Sequence, residues 1–263
     1  MASGLTGWGH LAQPGWARHA TGIPEDPNPI DIRAQRPSHP PRRGAASSAC
    51  IGGIGQTTGV SFYSDQILPR LVDRVLGGEE FAKIRGRVAA GLSGEVLEVG
   101  FGSGLNVPLY PTAVRRVRAV DPATVGRKLA AKRVAASAVP VEYVGLDGQS
   151  LPLDTDSVDH VLITWTMCTI PDVESALAEI YRVLRRNGEL HFVEHGRSPH
   201  PKVARWQDRL TPIQRRFAGG CHLNRPIDGL VVQAGFTVTR MENYYMKGPK
   251  PMGYMFEGRA TKS

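Results

Sequence analysis

The sequence of 263 residues predicts an α/β protein with a doubly wound, mostly parallel sheet of seven strands. Three observations carry this expectation. Short runs rich in Val, Ile and Leu alternate with helical periods from Val60 onward, the pattern of strand–helix repeats. The first clear run leads into Leu97–Gly104, which reads Leu-Glu-Val-Gly-Phe-Gly-Ser-Gly. Polar or glycine signals then stand at the carboxyl ends of the following runs, the edge where such sheets bind ligands.

Taken in order, Ile67-Leu68, Leu71-Val72 and Val75-Leu76 recur every four residues and predict a helix with Pro69 near its first turn. Glu95–Val99 is the first strand. Gly100, Gly102 and Gly104 suit a sharp strand-to-helix turn whose backbone lies against a ligand, because a Cβ would collide with it. The helix opened by that turn would direct free N–H groups at the ligand. Glu98 gives the turn a chemical direction: a carboxylate so close repels a pyrophosphate and suits a ligand carrying positive charge. Val117–Val120 is the second strand, ending at Asp121, and Arg127–Ala136 is a basic, alanine-rich helix. Val141–Val144 and Val158–Thr164 are strands three and four. Val173–Leu184 is a helix, capped by Asp172 and stopped by Arg185–Gly188. Glu189–Val193 is strand five, and Phe236–Met241 with Tyr254–Glu257 form a terminal hairpin-like pair.

Residues 1–59 differ in character. Pro14, Pro24, Pro27, Pro29, Pro37, Pro40 and Pro41 interrupt every apolar period. Such a segment is expected to be a disordered tail, or an over-extended reading frame with Val60 as an alternative start. It lacks the basic start and apolar stretch of a secretory signal. Residues 60–263 read as one domain. Cys50, Cys168 and Cys221 form no CxxC pair, so no disulfide framework or metal site is expected and a reducing cytoplasm fits. No apolar run spans a bilayer. The net charge of +8 permits anionic partners without identifying one.

Four strand ends line up: Glu98 with its glycines, Asp121, Asp147-Gly148 followed by Leu151-Pro152-Leu153, and Thr164-Trp165-Thr166-Met167-Cys168. With Arg182-Val183-Leu184-Arg185-Arg186-Asn187-Gly188, these residues resemble the class I S-adenosylmethionine (SAM)-dependent methyltransferases over about Glu95–Phe236. Arg186-Asn187 replaces that family's Pro-Gly in the last motif, and Asn also tolerates the left-handed conformation. Within the class the chain resembles the ubiquinone/menaquinone C-methyltransferase subgroup. It is closer to a branch with microsomal thiol methyltransferases and bacterial phospholipid N-methyltransferases. Ser61-Phe62-Tyr63-Ser64, Glu194-His195-Gly196-Arg197, Gly220-Cys221-His222 and Gly253–Gly258 carry that closer likeness.

The resemblance implies a Rossmann-like fold, SAM as cofactor, and a small-molecule or lipid-like acceptor (a thiol, amine or quinone-like compound). It implies that Gly100, Gly102 and Gly104 admit the methionine part and ribose, that Glu98 orients the cationic end directly or through water, and that Asp121 accepts from the ribose hydroxyls. Asp147 would accept from the adenine amino group and the Gly148 N–H would reach a ring nitrogen. Asp147 before Gly is also a turn former. His195, after strand five, is the candidate general base or a structural imidazole. Cys168 reads as pocket lining, and Cys221-His222 alone make a poor metal site. Tyr63, Tyr244, Tyr245 and Tyr254 read as caps, pocket walls or core.

Between residues 199 and 222 a small helical cap is expected. Val203, Trp206, Leu210, Ile213 and Phe217 recur at helical spacing among Lys202, Arg205, Arg209, Arg215 and Arg216, with Pro212 splitting two short helices. The segment reads as an acceptor-site cover, with contact to an anionic membrane as the alternative. A nicotinamide dehydrogenase would need G-x-G-x-x-G, and Leu105 occupies the third glycine's place. DNA amino methylation would favour an Asn/Asp-Pro-Pro-aromatic turn after strand four, which Thr164-Trp165-Thr166-Met167 does not match. No added RNA-binding module is visible, which argues against nucleic acid as a partner and leaves RNA methylation as an alternative. A non-catalytic SAM-binding or membrane-associated protein would keep the same pocket.

Overall fold

The structure, a computed structural model, describes residues 67–263. The readings made for residues 1–59, for a start at Val60 and for Tyr63 lie outside these. The strands are β1 (Gly94–Val99), β2 (Val114–Val120), β3 (Val141–Gly145), β4 (Val158–Thr164), β5 (Leu184–His195), β6 (Thr237–Tyr245) and β7 (Tyr254–Thr261). The helices are α1 (Leu68–Leu76), α2 (Glu79–Ala89), α3 (Thr124–Ala135), α4 (Val173–Val183), α5 (Pro201–Phe217), α6 (Ile227–Gln233) and the short α7 (Lys250–Gly253).

One seven-stranded sheet runs β3-β2-β1-β4-β5-β7-β6. The first five strands of that order pair in parallel, and β7 runs antiparallel between β5 and β6. The order reverses between β1 and β4, which opens a crevice at their carboxyl ends.

Burial on both faces explains the continuous apolar strands. Leu97 and Val99 of β1 and Val161 and Ile163 of β4 pack with Leu177 and Ile180 of α4 and with Ile227 and Val231 of α6. The alternate residues Val96, Leu162 and Val193 pack instead with Ile84, Val88 and Ala89 of α2. Asp172 caps α4 as expected, its Oδ1 accepting the Ser175 N–H at 3.0 Å.

Four features differ from the sequence reading. Helix α2 was not expected: Lys83, Arg85, Gly86 and Arg87 interrupt its apolar period, yet one side buries Ile84, Val88 and Ala89. Helix α6 spans only 7 residues, too few for a clear helical period. Strand β5 starts at Leu184, not Glu189, because Leu184 pairs with Val158 and Glu189 with His160, so the expected turn bulges out of a continuing ladder. Asn187 sits in that bulge at φ 62°, and its N–H donates to the Lys262 carbonyl at 3.0 Å. Finally, α5 is one helix of 17 residues with Pro212 inside it. Pro212 removes a single N–H, while Ala204, Gln207 and Thr211 anchor the helix on the side that precedes it.

Candidate active site

The crevice holds a cavity of about 720 Å³. Gly100 turns the chain out of β1 at φ +79°, and a Cβ there would lie 2.0 Å from Thr166 Oγ1 of the β4 loop. Gly102, at φ +53°, lines the cavity, and a Cβ there would meet the Gly100 carbonyl oxygen only at 3.9 Å. Gly126 of α3 lets the loop close onto the helix: its Cβ would meet the Gly102 carbonyl oxygen at 2.8 Å. Gly104 does not line the cavity. Its φ of +71° and the nearby Ala130, Val107 and Phe101 side chains make it a packing position in the turn.

Asp121 lines the cavity at the end of β2 and is 6% exposed. Its Oδ2 accepts the Gly102 N–H and its Oδ1 accepts the Ala123 N–H, each at 2.7 Å. The carboxylate thereby ties the glycine turn to the start of α3 and keeps a further lone pair on each oxygen. Burial raises its pKa, and the two backbone N–H groups oppose that rise.

Glu98 stands behind the wall, 1% exposed. Its Oε1 accepts Asn106 Nδ2 at 2.9 Å, and its Oε2 accepts the Tyr110 hydroxyl. Burial pushes its pKa to about 7, with Tyr110, Asn106 and the Arg85 charge pulling the other way. Arg85, Asn106 and Trp165 line the cavity in front of it. Arg85 stacks over the Trp165 ring at 4.5 Å, and burial brings its pKa down to about 10. Trp165 sits at φ 49°, an uncommon conformation for a bulky residue. Arg85 Nε and Nη1, Trp165 Nε1 and Asn106 Oδ1 are buried without a hydrogen-bond partner among the described residues. Donors from Arg85 and Trp165 thus stand together with an acceptor from Asn106 that a buried acid supports. That set fits a zwitterionic amino-acid group. Sequence reading named Trp165 only within the turn after strand four and missed Arg85 and Asn106, which lie on a helix and before a short 3-10 turn without a shared motif.

Asp147 and Gly148 also line the cavity, after β3. Asp147 is exposed, and its Oδ1 accepts the Gln149 N–H at 2.8 Å and Gln149 Nε2 at 2.9 Å. Hydrogen bonding by Gln149 lowers its pKa. Arg182 explains its place in the late motif: it donates to the Leu151 and Leu153 carbonyls at 3.1 and 2.8 Å and fixes the loop that follows Asp147.

His195 does not line this cavity. It ends β5 with Nε2 3.0 Å from Cys221 Sγ, and Cys168 completes a cluster whose ligating atoms lie within 4.8 Å of one another. The neighbouring Glu194 is fully buried, and its carboxylate accepts the N–H groups of Thr166 and Met167 at 2.6 and 2.9 Å. Burial raises the pKa of Glu194 to about 7. Contact with Cys168 pulls the Cys221 thiol down to about 5, and His195 adds to the effect. Cys168, the partner thiol, is pushed up. Burial lowers the His195 pKa, but the Cys221 thiolate outweighs it and the net shift is upward.

The sheet order, the glycine turn at its reversal and the acid ending β2 together define a class I methyltransferase domain. Residues 97–192 match the family described as Methyltransferase domain. The chain is 32% identical over 181 residues to the thiol S-methyltransferase TMT1B of Rattus norvegicus, covering 65% of this chain and 73% of that protein. It is 31% identical over 111 residues to the phosphatidylethanolamine N-methyltransferase of Cereibacter sphaeroides, covering 39% and 51% of the two chains. A solved SAM-dependent methyltransferase of Thermotoga maritima shares the fold at a TM-score of 0.55 and 21% identity, over 76% of this chain and 100% of that one. The chain belongs to the family of SAM-dependent methyltransferases.

Proposed function

We propose that the cavity binds SAM and that the enzyme, acting in the cytoplasm, methylates the sulfur of a small thiol. One observation carries the donor assignment: Arg85, Trp165 and Asn106 all line the cavity, and each carries a buried polar atom with no hydrogen-bond partner among the described residues. Arg85 Nη1 and Trp165 Nε1 would hold the donor's carboxylate, and Asn106 Oδ1 its ammonium. Glu98 acts through Asn106 as a positioning residue. Asp121 would take the ribose hydroxyls on its remaining lone pairs, Asp147 the adenine amino group, and the Gly148 N–H a ring nitrogen. Gly100 and Gly102 would let the backbone lie against the donor, and Gly104 would shape the turn behind them.

When bound, the sulfonium supplies an already activated methyl group for in-line displacement. The protein's task is then alignment and exclusion of water. Among the described residues no histidine or lysine lines the cavity. A thiol suits such a wall, because its ordinary pKa near 8.5 gives usable thiolate without a dedicated base. The likeness to a thiol S-methyltransferase over 73% of that protein supports the same acceptor. Calorimetry with SAM tests the donor, and release of S-adenosylhomocysteine tests the acceptor across small thiols, a demethylated quinone and phosphatidylethanolamine. Turnover with thiols alone is expected. Absence of SAM binding would overturn the donor assignment; turnover with the lipid or quinone but no thiol would overturn the acceptor.

A second reading concerns the surface of α5. Among the described residues no helix is long and apolar enough to cross a membrane. Trp206, Ile213 and Phe217 are nonetheless 55%, 58% and 58% exposed, and Lys202, Arg205, Arg209, Arg215 and Arg216 flank them. This face supports peripheral contact with an anionic bilayer. Flotation with anionic vesicles and not with neutral ones is the expected result.

A further inference from the structure

The Cys168–His195–Cys221 cluster has no part in the donor cavity, and its chemistry is that of a metal site. We propose that the two thiolates and one imidazole nitrogen bind a zinc-class divalent cation. The sulfur and nitrogen atoms already lie within 4.8 Å of one another, with His195 Nε2 and Cys221 Sγ at 3.0 Å. Tetrahedral zinc, with bonds of about 2.0–2.3 Å, needs such atoms roughly 3.5–3.8 Å apart. The cation would therefore seat with shifts of about an ångström or less.

Three elements meet to place the ligands, and hydrogen bonds fix each one. Cys168 follows β4, and its N–H donates to Glu194 at 3.4 Å. His195 ends β5. Cys221 follows α5, and its N–H donates to the Ala218 carbonyl at 3.1 Å. The two cysteine segments are tied together by the His222 N–H, which donates to the Cys168 carbonyl at 2.8 Å. His222 itself turns Nδ1 to that same carbonyl at 3.1 Å, so the adjacent Cys221-His222 pair supplies one ligand and one support. This is why the pair looked poor as a site in the sequence: its partners lie 53 and 26 residues upstream of Cys221 (221 − 168 and 221 − 195).

Chemistry and charge agree with a soft divalent ion. Cys168 and Cys221 are 2% and 6% exposed, beside the buried Leu223. Two thiolates and a divalent cation sum to zero in that apolar setting. The Arg225 guanidinium, which donates to the Met167 and Ile170 carbonyls, and the buried Glu194 balance each other nearby. His195 turns Nε2 toward Cys221 and would offer that nitrogen to the cation, leaving Nδ1, buried and without a partner among the described residues, to carry the proton. A second cluster, His160–Glu189–His191, supplies the contrast. There His191 Nδ1 faces the Val88 carbonyl at 2.9 Å and its Nε2 faces Glu189 at 3.2 Å, while His160 Nε2 faces Ser93 Oγ at 3.2 Å. That cluster closes on itself, and the Arg259 charge beside it opposes a cation.

The test is a Co²⁺ titration of the full chain carrying Cys50→Ser, reduced with a phosphine and freed of metal by chelator dialysis. One equivalent of Co²⁺ is expected to give thiolate-to-metal charge transfer in the near ultraviolet with tetrahedral visible bands, both displaced by Zn²⁺. Cys221→Ser and, separately, Cys168→Ala should weaken Co²⁺ binding at least tenfold; His160→Ala should leave it unchanged. Absence of the thiolate band in the reduced parent protein would overturn the proposal. So would a band that persists in both cysteine variants, or a Cys168–Cys221 disulfide whose reduction restores no metal uptake. Calorimetry with SAM on the same samples reads the donor site separately, so failure of one assignment leaves the other standing.

Discussion

The two sides of the crevice are built differently. On the donor side, Gly100, Gly102 and Asp121 fall within 22 residues, and backbone groups make the key contacts. On the β5 side, Cys168, Glu194, His195, Cys221 and Arg225 come from one strand end and two loops, and side chains make the contacts. A site made of backbone depends on glycines and small acids at fixed spacing. A site made of side chains depends on tertiary packing, and its spacing can take almost any value.

The contrast breaks most sharply at Asp121. Asp121→Ala removes the anchor of the glycine turn and the acceptor for the ribose at once. A loss of SAM affinity of at least a hundredfold is expected, about 3 kcal/mol for two charge-assisted hydrogen bonds. Calorimetry measures it, and far-ultraviolet circular dichroism should show an unchanged sheet. Arg85→Met comes next, with an expected loss of ten- to a hundredfold in affinity for one charged contact. Its stability effect should have the opposite sign, because a buried cation with two unpartnered nitrogens gives way to an apolar chain of similar length. Urea denaturation without ligand checks this; a variant less stable than the parent would show that Arg85 holds the fold and not the donor.

These residues also mark what the sequence reveals. The sheet class, the turn and the acids ending β1 to β3 were legible because each depends on a local rule: alternation, positive φ, or an acid at a strand end. Even there, the chain's chemistry was clearer than its geometry. Glu98 was read as orienting the donor's cationic end directly or through water, and the fold buries it behind Asn106 and Tyr110. Gly104 was read with the donor and packs on Ala130 and Val107. Arg85 was invisible because a lone arginine on an irregular amphipathic helix looks solvated. On the other side, Gln207 had no signal at all, yet it is 1% exposed and joins α5 to the Gly196 and Pro251 carbonyls at 2.8 and 3.0 Å.

Glu98 sharpens the comparison through pH. Its folded pKa of about 7 lies above the ordinary carboxylate value, so the folded protein holds a proton that the unfolded chain has released. Stability from this group is complete below about pH 4.5 and is lost as pH rises through 7, by at most about 3 kcal/mol. Glu194 shares the same direction and window. Glu98→Gln should therefore flatten part of the decline between pH 5 and 7.5 in urea denaturation, leaving the part due to Glu194. Affinity for SAM should move the other way in the parent protein, rising with pH as an ionised Glu98 polarises Asn106 toward the donor's ammonium. An unchanged slope in the Gln variant would show that Glu98 is not the titrating group.

The smallest effect, and the finest test, lies at Asp147. Its Oδ1 already accepts two hydrogen bonds from Gln149, which alone account for an aspartate before glycine. If it also reads adenine, Asp147→Ala should lower SAM affinity about three- to tenfold, roughly 1 kcal/mol for one exposed contact. The turn and the ligand can be separated by a cycle. A SAM analogue lacking the adenine amino group should bind the parent more weakly than SAM does, and should bind parent and Asp147→Ala alike. Gln149→Ala, which loosens the turn but leaves the carboxylate, should retain the parent's preference for the amino group. Equal losses for SAM and the analogue in Asp147→Ala would make Asp147 a turn residue only, and the donor side would then recognise its nucleoside through the Asp121 carboxylate and the backbone.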